Sequence, residues 1–440
     1  MKTSNVDILV IGAGILGVAS AYWLSRLYDC SVAVVDSAPV PGAHTSSRNT
    51  GVIHRPYYLD PTRKKVFART SLASHPLWEA LAAKGRLPWK PVGTFNVAVE
   101  EDEVKTIEKY RRWGLENGMS ESELDLLNAG EVKTLEPEVR CKAGLLSKTD
   151  VSVDFGVFTR YLWGVAADLG ARFLGGHRVL KVADRRGLVE TEAETATERT
   201  TIRSKLVINA AGGGSLAIAH SCGLAGGLAA LNFRGEYWVV DEPFASRVTS
   251  NIYRPPSFPQ YPFLDPHFVV RADGSRQIGP NAVAVPGPYV YSGVGLRQLP
   301  GFLSRPVAPK RKLLTNADFI SLLVGEWRSS LSKKVMCGRV QKFVPGLRPE
   351  MLNRRAVFGV RSSVVNREGF VPEAVLRTGA ASIHVINFNS PGATGAPAFS
   401  ALVVQRIRSE GMLAGFRQKI GVPGIPRWDF DTLLADLGRP

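Results

Sequence analysis

A short apolar run at 8–11 leads into Gly12-Ala13-Gly14-Ile15-Leu16-Gly17, and small and apolar residues then continue to Leu27. A second apolar run, 31–35, closes on Asp36. Strand, glycine turn, helix, strand and acid in that order predict a βαβ unit. Helical spacing recurs over 64–84, 101–117, 128–135, 155–170, 319–331 and 396–409. Strands are expected at 93–99, 171–182, 205–210 and 382–388, and an exposed Glu/Thr-rich hairpin at 191–201. From 231 to 285 the pattern is strand-like but broken by prolines 255, 256, 259, 262 and 266, which suits a loop lining a cavity.

Strands of the nucleotide-binding kind thus occur near both ends and in the middle, and 440 residues exceed one simple core. The expected fold is α/β, α+β overall. A Rossmann-type domain is assembled from 1–85, 151–230 and 346–440. An inserted antiparallel-sheet domain is built from 86–150 and 231–345.

The glycines have separate tasks. Gly12 permits the turn, Gly14 lets backbone approach a pyrophosphate, and Gly17 lets helix and strand pack closely. The helix start offers free N–H groups to phosphates, and Asp36 can accept from a ribose diol. Four more segments point to FAD as the dinucleotide. The loop from Gly42 to His54 is rich in small and hydroxyl residues, which let backbone pass close to a flavin. Val207-Ile208-Asn209-Ala210-Ala211-Gly212 is a strand ending in small residues. Ser390-Pro391-Gly392-Ala393-Thr394-Gly395 is a turn into a helix, whose N–H groups suit the flavin carbonyl oxygens. Arg234-Gly235-Glu236-Tyr237 lies in the inserted region.

Net charge is +16 and uneven: 297–377 holds sixteen Lys/Arg against five Asp/Glu. Three readings stay open: a docking face for anionic lipid or an acidic partner, attraction of an anionic substrate, or a solvated basic surface. Nucleic acid is not expected, because no nucleic-acid module accompanies the charge. Cys30, Cys141, Cys222 and Cys337 are scattered, with no metal-ligand spacing. The chain reads as cytoplasmic, with peripheral contact at the inner face of a membrane left open. The N-terminus imitates a signal peptide, but cleavage near Ala21 would destroy the glycine turn.

With Asn49-Thr50-Gly51-Val52-Ile53-His54, Leu135-Glu136-Pro137, Gly279-Pro280-Asn281 and Gly359-Val360-Arg361, these motifs resemble the D-amino-acid-oxidase-like FAD superfamily. Within it the resemblance is closest to the L-2-hydroxyglutarate dehydrogenase/oxidase family. It implies non-covalent FAD, with Gly12, Gly14, Gly17 and Asp36 on the ADP half and Val179 at the adenine. It puts Ser46, Ser47, Asn49 and Gly51 near the pyrophosphate and flavin, Ala211 and Gly212 at the cofactor, and Gly392, Ala393, Thr394 and Gly395 at the flavin's pyrimidine edge. It also implies oxidation of a small anionic 2-hydroxy acid by hydride transfer to flavin N5, with L-2-hydroxyglutarate first.

That chemistry needs a cation for carboxylate, and Arg361 is the candidate. It needs a base near physiological pH, and His54 and His267 are candidates. Tyr57 and Tyr237 are supporting donors. Arg48, Arg55-Pro56 and Asp265-Pro266 depart from the family pattern near the expected substrate cavity. An amine substrate, such as glycine or sarcosine, is the alternative. A non-catalytic FAD or NAD protein docking through the basic face is a third reading. The electron acceptor (oxygen, quinone or carrier protein) is left open.

Overall fold

Strand Lys2–Ile11 pairs in parallel with Val32–Val35 on one side and Arg199–Asn209 on the other. This arrangement comes from a computed structural model, which describes residues 2–185, 187–263, 265–298 and 310–438. Leu264 of the Pro-rich stretch, and residues 299–309 of the basic segment with Arg305, lie outside the described residues. The sheet runs in the order Val375–Thr378, Ser382–Asn387, Arg199–Asn209, Lys2–Ile11, Val32–Val35, Arg172–Leu174, parallel along this path except at the Val375–Thr378 edge, and Leu188–Glu194 with Arg178–Arg185 adds an antiparallel extension to Arg199–Asn209. Helices Ile15–Leu27, Lys65–Gly85, Phe155–Asp168 and Gly392–Ser409 contribute to the core on one face, around Val10, Ile208, Trp23, Trp78 and Phe399. Apolar side chains also pack on the other face, which explains why the short parallel strands read as continuous apolar runs.

Three expectations shift. The strand foreseen at 171–182 is two strands, Arg172–Leu174 and Arg178–Arg185, separated by a turn in which Gly176 adopts a φ of 72°. The hairpin at 191–201 and the strand at 205–210 share one strand, Arg199–Asn209. Its burial alternates through Lys205, where it pairs with Leu188–Glu194, and becomes continuous from Leu206, where both faces are covered. The last long helix begins at Gly392, not at 396. Pro397 hid that start by interrupting the helical ladder. Ala398 N–H donates to Ser74 Oγ (3.1 Å), and the Thr394 carbonyl accepts from Trp78 Nε1 (2.7 Å).

A second, eight-stranded sheet runs Leu352–Arg355, Trp238–Val240, Arg276–Gly279, His267–Val270, Asn251–Tyr253, Thr94–Ala98, Ala143–Ser147, Leu124–Asn128. It is antiparallel except where Asn251–Tyr253 meets Thr94–Ala98. A four-stranded sheet contains Val283–Val285, Ala229–Gly235, Gly359–Asn366 and Gly369–Phe370. Strands Leu352–Arg355 and Gly359–Asn366 therefore pair with strands of the 231–345 region, across the boundary expected at 346. The local pattern of 346–370 does not reveal this β pairing.

Trp78 closes a gap that Pro397 opens at the cavity-facing end of its helix. Trp78→Phe should lower the unfolding free energy by at least about 1–3 kcal/mol, the cost of one orphaned buried acceptor. Urea denaturation checks this; an unchanged midpoint would contradict it.

Candidate active site

Gly12 has a φ of 104°, and a Cβ there would stand 2.5 Å from the Ala210 carbonyl oxygen. A Cβ on Gly17 would stand 1.9 Å from the Gly12 carbonyl oxygen. Turn, helix and strand therefore meet at a distance only glycine allows. The helix Ile15–Leu27 is capped by Gly14, which brings no side-chain acceptor. Its open end faces the cavity, with Ile15 N–H donating to Ser46 Oγ (2.9 Å). Asp36 Oδ2 accepts from Ala13 N–H (2.7 Å) and Oδ1 from Ala38 N–H (2.8 Å), leaving one acceptor site on each oxygen.

The loop after Asp36 is braced from within. Asn49 Nδ2 donates to the Ser46 carbonyl (2.9 Å), and its Oδ1 accepts from Gly51 N–H (2.8 Å). Arg271 donates to the carbonyls of Asn49 (2.9 Å) and Thr50. At the far side of the cavity, Gly392–Ser409 starts after Pro391, again without a side-chain cap. Gly392, Ala393 and Thr394 line the wall there. Two helix starts whose N-cap residues bring no side-chain acceptor thus face one cavity, each directing partial positive charge at it.

The cavity is also lined by Gly14, Ser46, Asn49, Gly51, Gly212, His54, Tyr237, His267 and Arg361. Other expected residues do not line it. Gly12, Gly17, Ala211 and Gly395 are packed behind the wall, and Asp36 braces the turn. Ser47 turns its hydroxyl back to the carbonyls of Ala43 and His44. Val179 packs against the sheet core beside Val182 and Val189. Tyr57 is buried among Ile107, Tyr110 and Leu145, so it is no substrate donor in this arrangement. Its neighbour Tyr58 instead sets its ring edge-on to His54 (5.7 Å between centroids).

The two histidines differ in their surroundings. His54 Nδ1 lies 3.0 Å from Asp150 Oδ2. An ionised carboxylate can only accept, so Nδ1 carries a proton, and in the neutral ring Nε2 is the nitrogen with the lone pair. His267 Nδ1 donates to the Asp265 carbonyl (3.1 Å), while its buried Nε2 has no partner. Burial, with repulsion from His54 and Arg361, pushes the His267 imidazole down to about 3 and keeps it neutral. Tyr253 stacks on His267 (3.9 Å), meets His54 edge-on (5.6 Å), and its buried hydroxyl is also unpartnered. Tyr237 hydrogen-bonds Thr50 Oγ1 (2.8 Å).

Arg361 is enclosed here. Burial pushes its pKa down, partly offset by the phenols of Tyr237 and Tyr58. It donates to the Pro262 carbonyl, and among the described residues no carboxylate forms an ion pair with it. A partly buried cation with only a neutral partner calls for an anion.

Sequence reasoning missed Tyr253 and Asp150. Tyr253 sits on a three-residue strand and carries no motif. The departures Arg55-Pro56 and Asp265-Pro266 do not line the cavity. Arg55 pairs with Glu123 (2.7 Å) and Asp265 with Arg339 (2.5 Å), so both support the wall from behind. Arg48 does line it and lies over the Tyr291 ring (4.3 Å).

The fold, the glycine turn and the two open helix starts define an FAD-binding oxidoreductase. A family model described as FAD dependent oxidoreductase matches residues 7–406, and the chain belongs to that family. L-2-hydroxyglutarate dehydrogenase of Nematostella vectensis, a mitochondrial enzyme, is 27% identical over 429 residues, covering 92% of this chain and 91% of that one. The Salmonella houtenae enzyme of the same name is 27% identical, covering 92% and 93%. Among solved structures, L-alpha-glycerophosphate oxidase from Mycoplasma pneumoniae with FAD bound superposes with a TM-score of 0.71 at 21% identity, covering 96% of this chain and 98% of that one. Glycine oxidase from Geobacillus kaustophilus gives 0.67 at 16% identity, covering 92% and 95%. The cofactor of this chain is FAD, and the cradle fits it: a Cβ at Gly14 would crowd Ser46 Oγ (3.2 Å) at the very helix start where a phosphate binds.

A neutral His267 has a measurable consequence. Its folded pKa lies below the unfolded value of about 6.5, so the unfolded chain takes up the extra proton. Stability is therefore lost as pH falls from about 6.5 towards 3. His267→Gln should flatten this loss in urea midpoints measured across that window. Equal slopes for wild type and variant would contradict the assignment.

Proposed function

We propose that the protein oxidises the C2 hydroxyl of a small anionic 2-hydroxy acid to the 2-oxo acid, with L-2-hydroxyglutarate as the first substrate. Arg361 carries this reading. It is an enclosed guanidinium without a carboxylate partner among the described residues, and it shares a cavity with the open Nε2 of His54. Its planar fork suits a carboxylate held at two points. His54 Nε2 takes the hydroxyl proton, and Nδ1 passes none because it is tied to Asp150. His267, neutral, offers Nε2 as an acceptor that orients a hydroxyl or water. Phe233 and Phe263, 4.4 Å apart, form an apolar part of the wall that excludes water. When bound, FAD would supply the two-electron oxidant for this reaction, held by the Gly14 and Gly392 helix starts. The open start of Gly392–Ser409 favours negative charge on that side of the cavity.

A dicarboxylate is favoured over a monocarboxylate by a second cation on the cavity wall, Arg48, which forms no ion pair among the described residues and bonds only to the carbonyls of Ala43 and Phe358. The names of the curated relatives point the same way. The amine reading rests on the fold of neighbours such as glycine oxidase. It leaves the buried His54–Asp150 pair without a task, since a neutral amine needs no base.

Anaerobic mixing of the FAD-loaded protein with 2-hydroxy acids and amino acids tests the reading through flavin absorbance. L-2-hydroxyglutarate should bleach it fastest; bleaching by an amino acid alone would overturn the proposal. Arg361→Gln should raise KM about 10- to 100-fold, the worth of lost charge-assisted hydrogen bonds. An unchanged kcat/KM would remove Arg361 from substrate binding.

We propose further that the basic segment rests on an anionic bilayer. Helix Ala317–Leu331 turns Ile320, Val324 and Leu331 outward along one stripe, Leu331 being 79% exposed. Exposed Arg311, Lys312, Arg328, Lys333 and Lys334 lie along the same stretch of chain. Exposed apolar side chains with cations close by in the chain suit a lipid surface better than an acidic protein. Among the described residues no helix is long and apolar enough to cross a membrane. The protein should sediment with phosphatidylglycerol vesicles and not with phosphatidylcholine, and Leu331→Asp with Arg328→Glu should abolish this. Equal recovery with both lipids would contradict it.

A further inference from the structure

Residues Val52–Ile53 and Val151–Ser152 form a two-stranded antiparallel ribbon, with Val52 opposite Ser152 and Ile53 opposite Val151. Continued by one residue, that register sets His54 opposite Asp150. The contact between them is therefore built into the backbone. Asp150 is fully buried and does not line the cavity. Its carboxylate accepts four hydrogen bonds: His54 Nδ1 (3.0 Å) and Thr94 Oγ1 (2.9 Å) at Oδ2, Ser147 Oγ (2.6 Å) and Arg55 N–H (3.0 Å) at Oδ1. The same residue's carbonyl accepts from Gly93 N–H (3.1 Å).

We propose that Asp150 is a positioning residue for the oxidation, acting through His54. The proposal rests on the reading of His54 as the base. Asp150 holds one tautomer, so that Nε2 and not Nδ1 meets the substrate hydroxyl. It also fixes the ring plane, because Thr94, Ser147 and the Arg55 backbone leave the carboxylate no freedom to turn. When Nε2 takes the proton, the imidazolium forms against a buried negative charge that is already in place. No proton passes to Asp150, whose two oxygens are occupied by four donors.

The surroundings supply no substitute for that charge. Tyr58 and Tyr253 meet the His54 ring edge-on. Their phenols are pushed to higher pKa by burial first and by Asp150 in addition, so they stay neutral. His267 stays neutral as well. Arg361 adds positive charge on the cavity side. Burial and Arg55 push the His75 imidazole to lower pKa, and its Nε2–H donates to the Thr149 carbonyl (3.0 Å) rather than meeting His54. Arg55 is paired with Glu123 (2.7 Å). Asp150 is thus the carboxylate that faces His54 among the described residues.

The test is a double-mutant cycle on the FAD-loaded, full-length protein, read as the rate of anaerobic flavin reduction by L-2-hydroxyglutarate. Asp150→Asn should slow reduction about 100- to 10,000-fold, with the substrate concentration at half-maximal rate changed no more than a few-fold. The acidic limb of the rate profile should move to lower pH, since charging the imidazole loses its partner. In the double variant with His54→Gln, Asp150→Asn should cost nothing further. Multiplying losses, or an unmoved pH limb with a lowered melting temperature, would make Asp150 merely structural and overturn the proposal. Full activity in His54→Gln alone would instead remove His54 as base, a different failure. Should Asp150→Asn not fold, nitrogen-15 NMR of the histidines in the wild-type holoprotein decides. A proton on Nδ1 of His54 supports the assignment, and one on Nε2 overturns it.

Discussion

The enclosed charge of Arg361 sets the terms for the cavity. A guanidinium removed from water is costly unless something compensates it. Here the compensation inside the protein is weak: the Pro262 carbonyl and the neutral phenols of Tyr237 and Tyr58. Some enclosed cations elsewhere in the protein have carboxylate partners. Arg339 meets Asp265 and Glu326, and Arg234 meets Glu236. Arg361 differs from these pairs: among the described residues no carboxylate forms an ion pair with it, and its side chain lines the cavity.

The rest of the site follows from having that cation opposite two open helix starts. One start, at Gly14, is held against the strand by glycines that could carry no side chain. The other, at Gly392, is pinned by Trp78 across the gap made by Pro397. Between them stand two histidines given opposite characters by what their Nδ1 atoms touch. A carbonyl partner and full burial leave His267 neutral. A buried carboxylate gives His54 a partner for positive charge. Two residues of one type thus divide acceptor and base between them.

The βαβ unit was legible in the chain because its signals are local: an apolar run, glycines at fixed spacing, an acid at the next strand end. The split of the strand near Gly175-Gly176 and the early start of the Gly392 helix were hidden where glycine and proline blur periodicity. Tyr57 and Tyr58 could not be told apart by position in a motif, because adjacent residues point in different directions. Arg55 and Asp265 looked like altered substrate contacts, yet their partners Glu123 and Arg339 lie 68 and 74 residues away in the chain. Asp150 was the hardest to find. It faces His54 through a ribbon of two residues per strand, too short for any periodic pattern.

The central claim is that one bound molecule spans Arg361 and His54. A crystal structure of the FAD-loaded, reduced protein with L-2-hydroxyglutarate tests it most directly. The C1 carboxylate should make a two-point contact with Arg361, and the C2 hydroxyl oxygen should lie within hydrogen-bond distance of His54 Nε2. A carboxylate bound away from Arg361, or a hydroxyl turned from both histidines, would contradict it.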